Sequence, residues 1–200
     1  MNPLNTIKGT IIGGVVLAVV IALVTMGVAF NVPSFIVWLH VLSGITWIGI
    51  LYYFNFIQVP ALAAAAADQG GSGGAGISKY VAPRALVWFR WGALATWLTG
   101  AAELAHIGRL DDAFALGMLP SSAATDLVIG VGAWLGTIML FNVWVLIWPN
   151  QKKVLGMVEA TAEEINKARR VAFLASRTNT LLSIPMVMSM VGYGHGGFFL

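Results

Sequence analysis

The chain has 200 residues, of which 58% are hydrophobic and only 10% are charged, and its mean hydropathy is +0.85. This composition lacks the polar residues that cover a water-soluble domain, so it predicts an integral membrane protein. The absence of cysteine excludes disulfides, thiolate haem ligation, iron–sulfur clusters and covalent c-type haem within the chain. The net charge of +3 does not indicate nucleic acid binding, because the basic residues flank apolar stretches.

Five apolar stretches are each long enough to cross about 30 Å of hydrocarbon as a helix. We predict one all-α membrane domain over residues 1–200, built as a bundle of five transmembrane helices. The spans lie at about residues 9–30, 34–57, 84–107, 124–148 and 170–193. The first stretch lacks a small-x-small cleavage site and exceeds a signal-peptide core in length, so we interpret it as a retained span.

The lysines and arginines predict the orientation of the spans, because cytoplasmic loops are enriched in them. Counting adjoining helix ends, one side carries almost all of these residues and the other side carries only Arg109. The first group comprises Lys8, Lys79, Arg84, Arg90, Lys152, Lys153, Lys167, Arg169, Arg170 and Arg177. We therefore expect a cytoplasmic N-terminus and an external C-terminus in a bacterial inner (cytoplasmic) membrane.

Two predicted cytoplasmic loops differ in character. Residues 61–78 form a tract rich in glycine and alanine, which predicts a flexible loop. Residues 150–169 alternate apolar and charged residues at helical spacing, which predicts an amphipathic helix. Within this second loop, Thr161 and Glu164 have the spacing of a capping box.

His40 is the first candidate site residue, because it lies inside the second apolar stretch. Hydrocarbon offers no water to its ring nitrogens, so the ring needs a protein partner, a metal or a haem. Neutral imidazole is a frequent ligand of haem iron, copper and zinc. We predict that His40 binds haem, with haem b as the first candidate, or else copper or iron. The alternative is a hydrogen bond to Thr or Asn of a neighbouring helix.

The predicted topology places all three histidines in the outer half of the bundle. Glu103 and His106 lie three positions apart, a spacing that carboxylate-bridged metal sites in helix bundles use. Asp126 begins the fourth span, and His195 follows the fifth. The predicted metal ligands are His40, Glu103, His106, Asp126 and His195. The alternatives are interfacial polar residues for Glu103 and His106, and a partner-docking tail around His195.

Two arginines lie in the predicted inner half of the bundle. Arg90 and Arg177 are expected to pair with haem propionates, as guanidinium groups do with carboxylates. Alternatively, they extend to lipid phosphates at the membrane surface. The predicted cofactor-binding residues are His40, His106, His195, Arg90 and Arg177.

Small residues predict where helices pack closely. Gly92, Thr96 and Gly100 recur every four positions, and so do Gly132 and Gly136. Such faces let two helix backbones approach each other, so we expect helix interfaces there.

Several segments carry a family resemblance: WLHVLSGITWIG around His40, GAWLGTIMLFNVWVLIWPNQKK over 132–153 and NTLLSIPMVMSM over 179–190. Together with WFRWGALATWLTG from Trp88, they resemble the N-terminal membrane domain of the bacterial membrane-anchored urate oxidases (urate hydroxylases). In that family an integral-membrane oxidoreductase domain is fused to a cytochrome c. The resemblance therefore implies a redox membrane protein, in which His40 matches a family histidine.

The resemblance also shows departures. Other family histidines align with Ile129 and Thr178, and a family acidic residue aligns with Gly92, which argues against urate oxidation by this chain alone. The chain has no C-x-x-C-H motif, so a separate cytochrome or oxidase is the expected electron partner. The His40 helix is similar, more loosely, to haem-binding four-helix membrane proteins of the protoporphyrinogen-oxidase type, which again implies haem.

We therefore expect a haem-binding or metal-binding redox subunit in the lipid bilayer. It would associate with other membrane proteins or with further copies of itself, and not with nucleic acid. The alternative is a cofactor-free structural or accessory subunit of a larger membrane protein complex.

Overall fold

The computed structural model describes residues 2–196, and the regular elements in that range are all helical, as predicted. The chain divides into two compact units, Met1–Ser34 and Phe35–Leu200. The first unit holds helix α1, Ile7–Met26, whose N-terminus is capped by Thr6 accepting a hydrogen bond from the N–H of Gly9 at 3.0 Å. No residue of α1 is buried, although its mean hydropathy is 2.5. An apolar surface on all sides is typical of a helix in lipid.

The remaining helices lie in the second unit, with the start of α2 reaching just across its boundary. They are α2, Val32–Ala67; α3, Ala82–His106; α4, Leu110–Phe114; α5, Ala124–Val154; and α6, Ala162–His195. A short π-helical turn, Ile77–Val81, leads into α3.

Four helices of the described chain, α1, α2, α5 and α6, are long and apolar enough to cross a membrane. Helix α3 has 25 residues, a length of about 37 Å at 1.5 Å per residue. Arg84, Arg90 and Glu103 interrupt its apolar residues. Four of the five predicted spans therefore correspond to helices that can cross a membrane. That α3 also crosses it stays a prediction.

The loop at residues 61–78 is shorter than predicted. Helix α2 continues to Ala67, because the alanine run favours helix, and only residues 68–74 are non-helical.

The prediction of a single amphipathic helix over residues 150–169 is wrong, because two different helices share that range. Helix α5 ends at Val154 and α6 begins at Ala162. Gly156 between them has a φ of +67°, a left-handed conformation that favours glycine and stops a helix. The capping box is confirmed: the N–H of Thr161 donates to Glu164 at 2.8 Å, and the N–H of Glu164 donates to Thr161 at 3.3 Å.

The main core lies where α2, α3, α5 and α6 meet. Its most buried large side chains, each at most 1% exposed, are Trp47, Leu51, Phe89, Met139 and Val143. The predicted small-residue faces are confirmed as interfaces. A Cβ placed on Gly92 would lie 3.4 Å from the backbone nitrogen of Trp47, and one on Gly132 would lie 3.0 Å from the Cβ of Ser189. The backbones approach closely at these positions because no side chain separates them.

Two π-helical turns interrupt the long helices: Tyr53–Gln58 in α2 and Asn142–Ile147 in α5. The Nδ2 of Asn142 donates to Oδ1 of Asn179 on α6 at 2.8 Å, and the Nδ2 of Asn179 donates to the carbonyl of Met139 at 3.0 Å. These bonds satisfy buried amides that lipid could not, and they tie α5 to α6.

A similar contact joins α2 to α6. The Nδ2 of Asn55 lies 2.8 Å from both the carbonyl oxygen of Leu51 and the Oγ of Ser176. Two turns further along α6, the hydroxyls of Tyr52 and Ser183 lie 2.9 Å apart. Polar side chains therefore fix the packing of α6 against both neighbouring helices.

Candidate functional site

The candidate site is centred on His40, which α2 presents to α3. Its Nδ1 lies 2.8 Å from the carbonyl oxygen of Thr96, and the Oγ1 of Thr99 lies 3.3 Å from the same nitrogen. A carbonyl can only accept, so Nδ1 carries the proton and Nε2 of the neutral ring carries the lone pair. Nε2 has no hydrogen-bond partner among residues 2–196. A metal-ligating histidine shows this same pattern, with one nitrogen bonded to a carbonyl and the other free to bind.

Gly100 makes room for the ring. A Cβ on Gly100 would lie 2.9 Å from Cε1 of His40 and 3.1 Å from its Nδ1, so a larger residue there would displace the imidazole. Thr96, Thr99, Gly100 and Glu103 share one face of α3, because residues three and four apart are neighbours on a helix. The small-residue stripe seen in the sequence is thus the surface against which His40 packs.

Glu103 is the second component of the site. It lies one turn beyond Gly100 on the same face of α3, and Gly100 contacts the His40 ring, so the two predicted residues do lie in one region. Its Oε2 is buried and has no hydrogen-bond partner in the described part of the chain. A buried, unpaired carboxylate oxygen is costly, which points to a missing donor or cation at this position.

The other predicted ligands are not gathered around His40. His106 and His195 are exposed at the C-terminal ends of α3 and α6. Over residues 2–196, no three histidine, aspartate or glutamate side chains form a group that could hold a metal ion. The residues fit a group that takes one protein ligand from His40, and ligation by the other four stays a prediction.

Asp126 has a structural role at the start of α5. Its Oδ2 accepts from the N–H of Ala123 at 2.6 Å and from Arg109 at 3.2 Å. Arg109 also lies 3.5 Å from Asp112. The sequence showed Arg109 as the sole basic residue of the predicted outer side, but gave no sign that it joins two carboxylates.

The Asp112 carboxylate is the most fully bonded acidic group of this loop. Its Oδ1 accepts hydrogen bonds from Ser121 at 2.7 Å and from Ser122 at 2.9 Å. These two hydroxyls, with a further contribution from the Arg109 charge, lower the pKa of Asp112, because all of them favour the ionised form.

The two predicted propionate partners have different surroundings. The Arg90 guanidinium stacks on Trp148, with its Cζ 3.7 Å from the ring centroid, and its Nε and Nη1 are buried without hydrogen-bond partners. Arg177 is exposed and its Cζ lies 5.3 Å from the ring centroid of Phe173. Neither arginine forms an ion pair with a described residue.

Comparison with known families supports the resemblance drawn from the sequence. The family model described as urate oxidase N-terminal matches the chain twice, at residues 28–116 and 110–199. Searches of curated proteins and of solved structures gave no significant match. Because the two matches together cover residues 28–199, the chain belongs to the urate oxidase N-terminal family.

Proposed function

We propose that the chain is a cofactor-binding redox subunit of a membrane, in which Nε2 of His40 would hold a b-type haem. The observation that carries this proposal is the 2.8 Å contact between Nδ1 of His40 and the Thr96 carbonyl. It fixes the ring orientation and leaves the second nitrogen as a free base. Copper or iron without a porphyrin is the alternative occupant.

Glu103 supports the same proposal. A haem supplies one-electron chemistry when bound, and a nearby carboxylate stabilises the positive charge of the oxidised iron. The Oε2 of Glu103 is buried and has no hydrogen-bond partner among the described residues, and a cationic group close to His40 would account for it.

A haem that cycles between two oxidation states needs both an electron donor and an electron acceptor. We infer that a separate cytochrome or oxidase exchanges electrons with the chain. Oxidation of urate by this chain alone is not part of the proposal, since two positions of the family histidines hold Ile129 and Thr178.

The proposed setting is a bacterial inner membrane crossed five times, with α3 as the additional span. The basic residues favour a cytoplasmic N-terminus. In that orientation, His40 and Glu103 both lie in the outer half, which agrees with the contact between α2 and α3.

The test is an oxidised-minus-reduced visible spectrum of the chain purified in mild detergent, with elemental analysis for iron and copper. We expect haem bands, or near-stoichiometric metal, that His40→Ala abolishes. The matched control is Gly49→Ala, a change in the same helix as His40 at a position where an added Cβ would have nothing within 4 Å. A folded wild-type chain without chromophore or metal, or bands that persist in His40→Ala, would refute the proposal.

A second candidate function is a cofactor-free structural subunit of a membrane complex. It is favoured by the fact that the His40–Thr96 contact already joins two helices, and by the absence of any buried residue in α1. This candidate predicts a colourless, metal-free chain that co-purifies with a membrane protein and retains that association in His40→Ala.

A further inference from the structure

A cavity of about 680 Å³ opens at the end of the bundle remote from His40. It is enclosed by the C-terminal half of α2, the start of α3, the end of α5 and the start of α6. Its volume lies in the range of small-molecule sites, about 300–1,000 Å³. It is separate from the His40 site, because it shares no residue with it.

The charge of the cavity lining is entirely positive. Arg169 and Arg170 line it, and no aspartate or glutamate does so among the described residues. Both residues are exposed, and Nη1 of Arg169 donates to Oδ1 of Asn166, which also lines the cavity, at 3.3 Å. An anionic group is therefore the complement of this lining.

The wall of the cavity is apolar. Leu86, Phe89 and Ile147 line it and are each at most 4% exposed. A ligand that fills the cavity therefore needs an apolar part as well as an anionic one. An acyl chain with a phosphate headgroup has both, and basic pockets between membrane helices bind such headgroups.

Gln58 adds a third requirement. It lines the cavity, is 8% exposed, and its Oε1 is buried without a hydrogen-bond partner in the described structure. The side-chain amide of the neighbouring Asn55 already donates to the Leu51 carbonyl and to Ser176. It is therefore not the donor that Oε1 of Gln58 lacks. The ligand should therefore carry a hydrogen-bond donor near its anionic group.

We propose that this cavity is a binding site for phosphatidylglycerol. Its phosphate pairs with Arg169 and Arg170, a hydroxyl of its glycerol headgroup donates to Oε1 of Gln58, and an acyl chain lies along the apolar wall. The proposal does not depend on a cofactor at His40.

The experiment titrates the purified, delipidated full chain with phosphatidylglycerol and with phosphatidylcholine of the same acyl chains, and measures bound lipid by native mass spectrometry. We expect phosphatidylglycerol to bind at least about tenfold more tightly. The double variant Arg169→Gln/Arg170→Gln should lose about tenfold in affinity for phosphatidylglycerol. If the double variant does not fold, the two single variants are measured instead, and each should lose less than about tenfold. Lys167→Gln is the matched control, because this exposed cation of the same helix does not line the cavity.

Gln58→Leu tests the donor requirement. It should weaken phosphatidylglycerol severalfold and leave phosphatidylmethanol, an anionic phosphodiester whose headgroup has no hydroxyl, unchanged. Equal binding of phosphatidylglycerol and phosphatidylcholine, or full binding by the arginine variants, would overturn the proposal. So would displacement of the lipid by inorganic phosphate at equal concentration, because that result identifies a site for a soluble anion.

Discussion

The imidazole of His40 contacts the carbonyl oxygen of Thr96, with Nδ1 at 2.8 Å. The same carbonyl accepts a hydrogen bond from the Oγ1 of Thr99 at 3.1 Å. Since the Oγ1 of Thr99 also lies 3.3 Å from Nδ1, a carbonyl and a hydroxyl within one turn of α3 define the ring orientation. His40 is therefore held by backbone geometry, and any ligand of Nε2 would meet a ring that is already positioned.

Gly100→Ala tests whether that orientation depends on the close approach of α2 and α3. The added Cβ would lie 2.9 Å from Cε1 of His40, so the ring or the helix must move. We expect a stability loss of about 1–3 kcal/mol in detergent, together with loss of any haem or metal signal. The measurement is thermal unfolding with the visible spectrum recorded in parallel.

Gly49→Ala is the matched control, because nothing lies within 4 Å of a Cβ at that position of α2. It should be neutral or slightly stabilising, since alanine favours helix more than glycine does. If the two alanine variants behave alike, the ring is not held by the space that Gly100 provides.

Much of this candidate site was predictable, because it depends on where a residue lies along an apolar span and on the helical spacing of its neighbours. An ionisable residue inside an apolar stretch identified His40, and antiparallel adjacent spans placed Glu103 in the same half of the bundle. A hydrogen bond from His40 to a threonine of a neighbouring helix was the alternative drawn from the sequence, and Thr96 and Thr99 of α3 provide it. That the shorter contact is to a backbone carbonyl was not predictable, because a carbonyl in a regular helix leaves no mark in the sequence. The Thr96 and Gly100 spacing indicated an interface, but not which side chain filled it.

The fold differed from prediction where local backbone geometry overrides composition. The apolar and charged alternation around Ile165 favoured one helix, but Gly156 takes a left-handed conformation and separates α5 from α6. The π-helical turns at 53–58 and 142–147 also leave no compositional signal, although each contains a buried asparagine.

Asn179→Ala should destabilise the packing of α5 against α6. It removes the acceptor of the Asn142 side-chain amide, which leaves a buried donor unpaired, and it removes one of the donors to the Met139 carbonyl. We expect a loss of about 1–3 kcal/mol, measured by denaturant unfolding in detergent. Thr178→Ala, which changes an exposed neighbour without a hydrogen bond, should be close to neutral. Equal stability of the two variants would show that the asparagine pair does not hold these helices together.

Asp112 should make the stability of the loop between α3 and α5 dependent on pH. Ser121 and Ser122, with Arg109, lower its pKa in the folded chain, so the folded state binds fewer protons than the unfolded state. The stabilisation is therefore complete above the ordinary aspartate pKa of about 3.9 and is lost as the pH falls through the lowered value.

The measurement compares the melting temperatures of the wild type and Asp112→Asn between pH 7 and pH 3. The difference between them should be constant down to about pH 5 and should shrink below about pH 4. Asp111→Asn, which removes an exposed carboxylate that has no bonded partner in the structure, serves as the control. A difference for Asp112→Asn that does not change with pH would contradict the prediction.

Arg90 and Trp148 should be energetically coupled, because the guanidinium stacks on the indole at 3.7 Å while its Nε and Nη1 lack partners. Stacking is then the main interaction that offsets desolvation of the charge. A double-mutant cycle with Arg90→Met and Trp148→Leu should give a coupling of about 1–2 kcal/mol. Replacing Trp88, whose indole is 57% exposed, should give no coupling with Arg90→Met. Additive effects of the Arg90 and Trp148 substitutions would show that the stacked pair contributes nothing to stability.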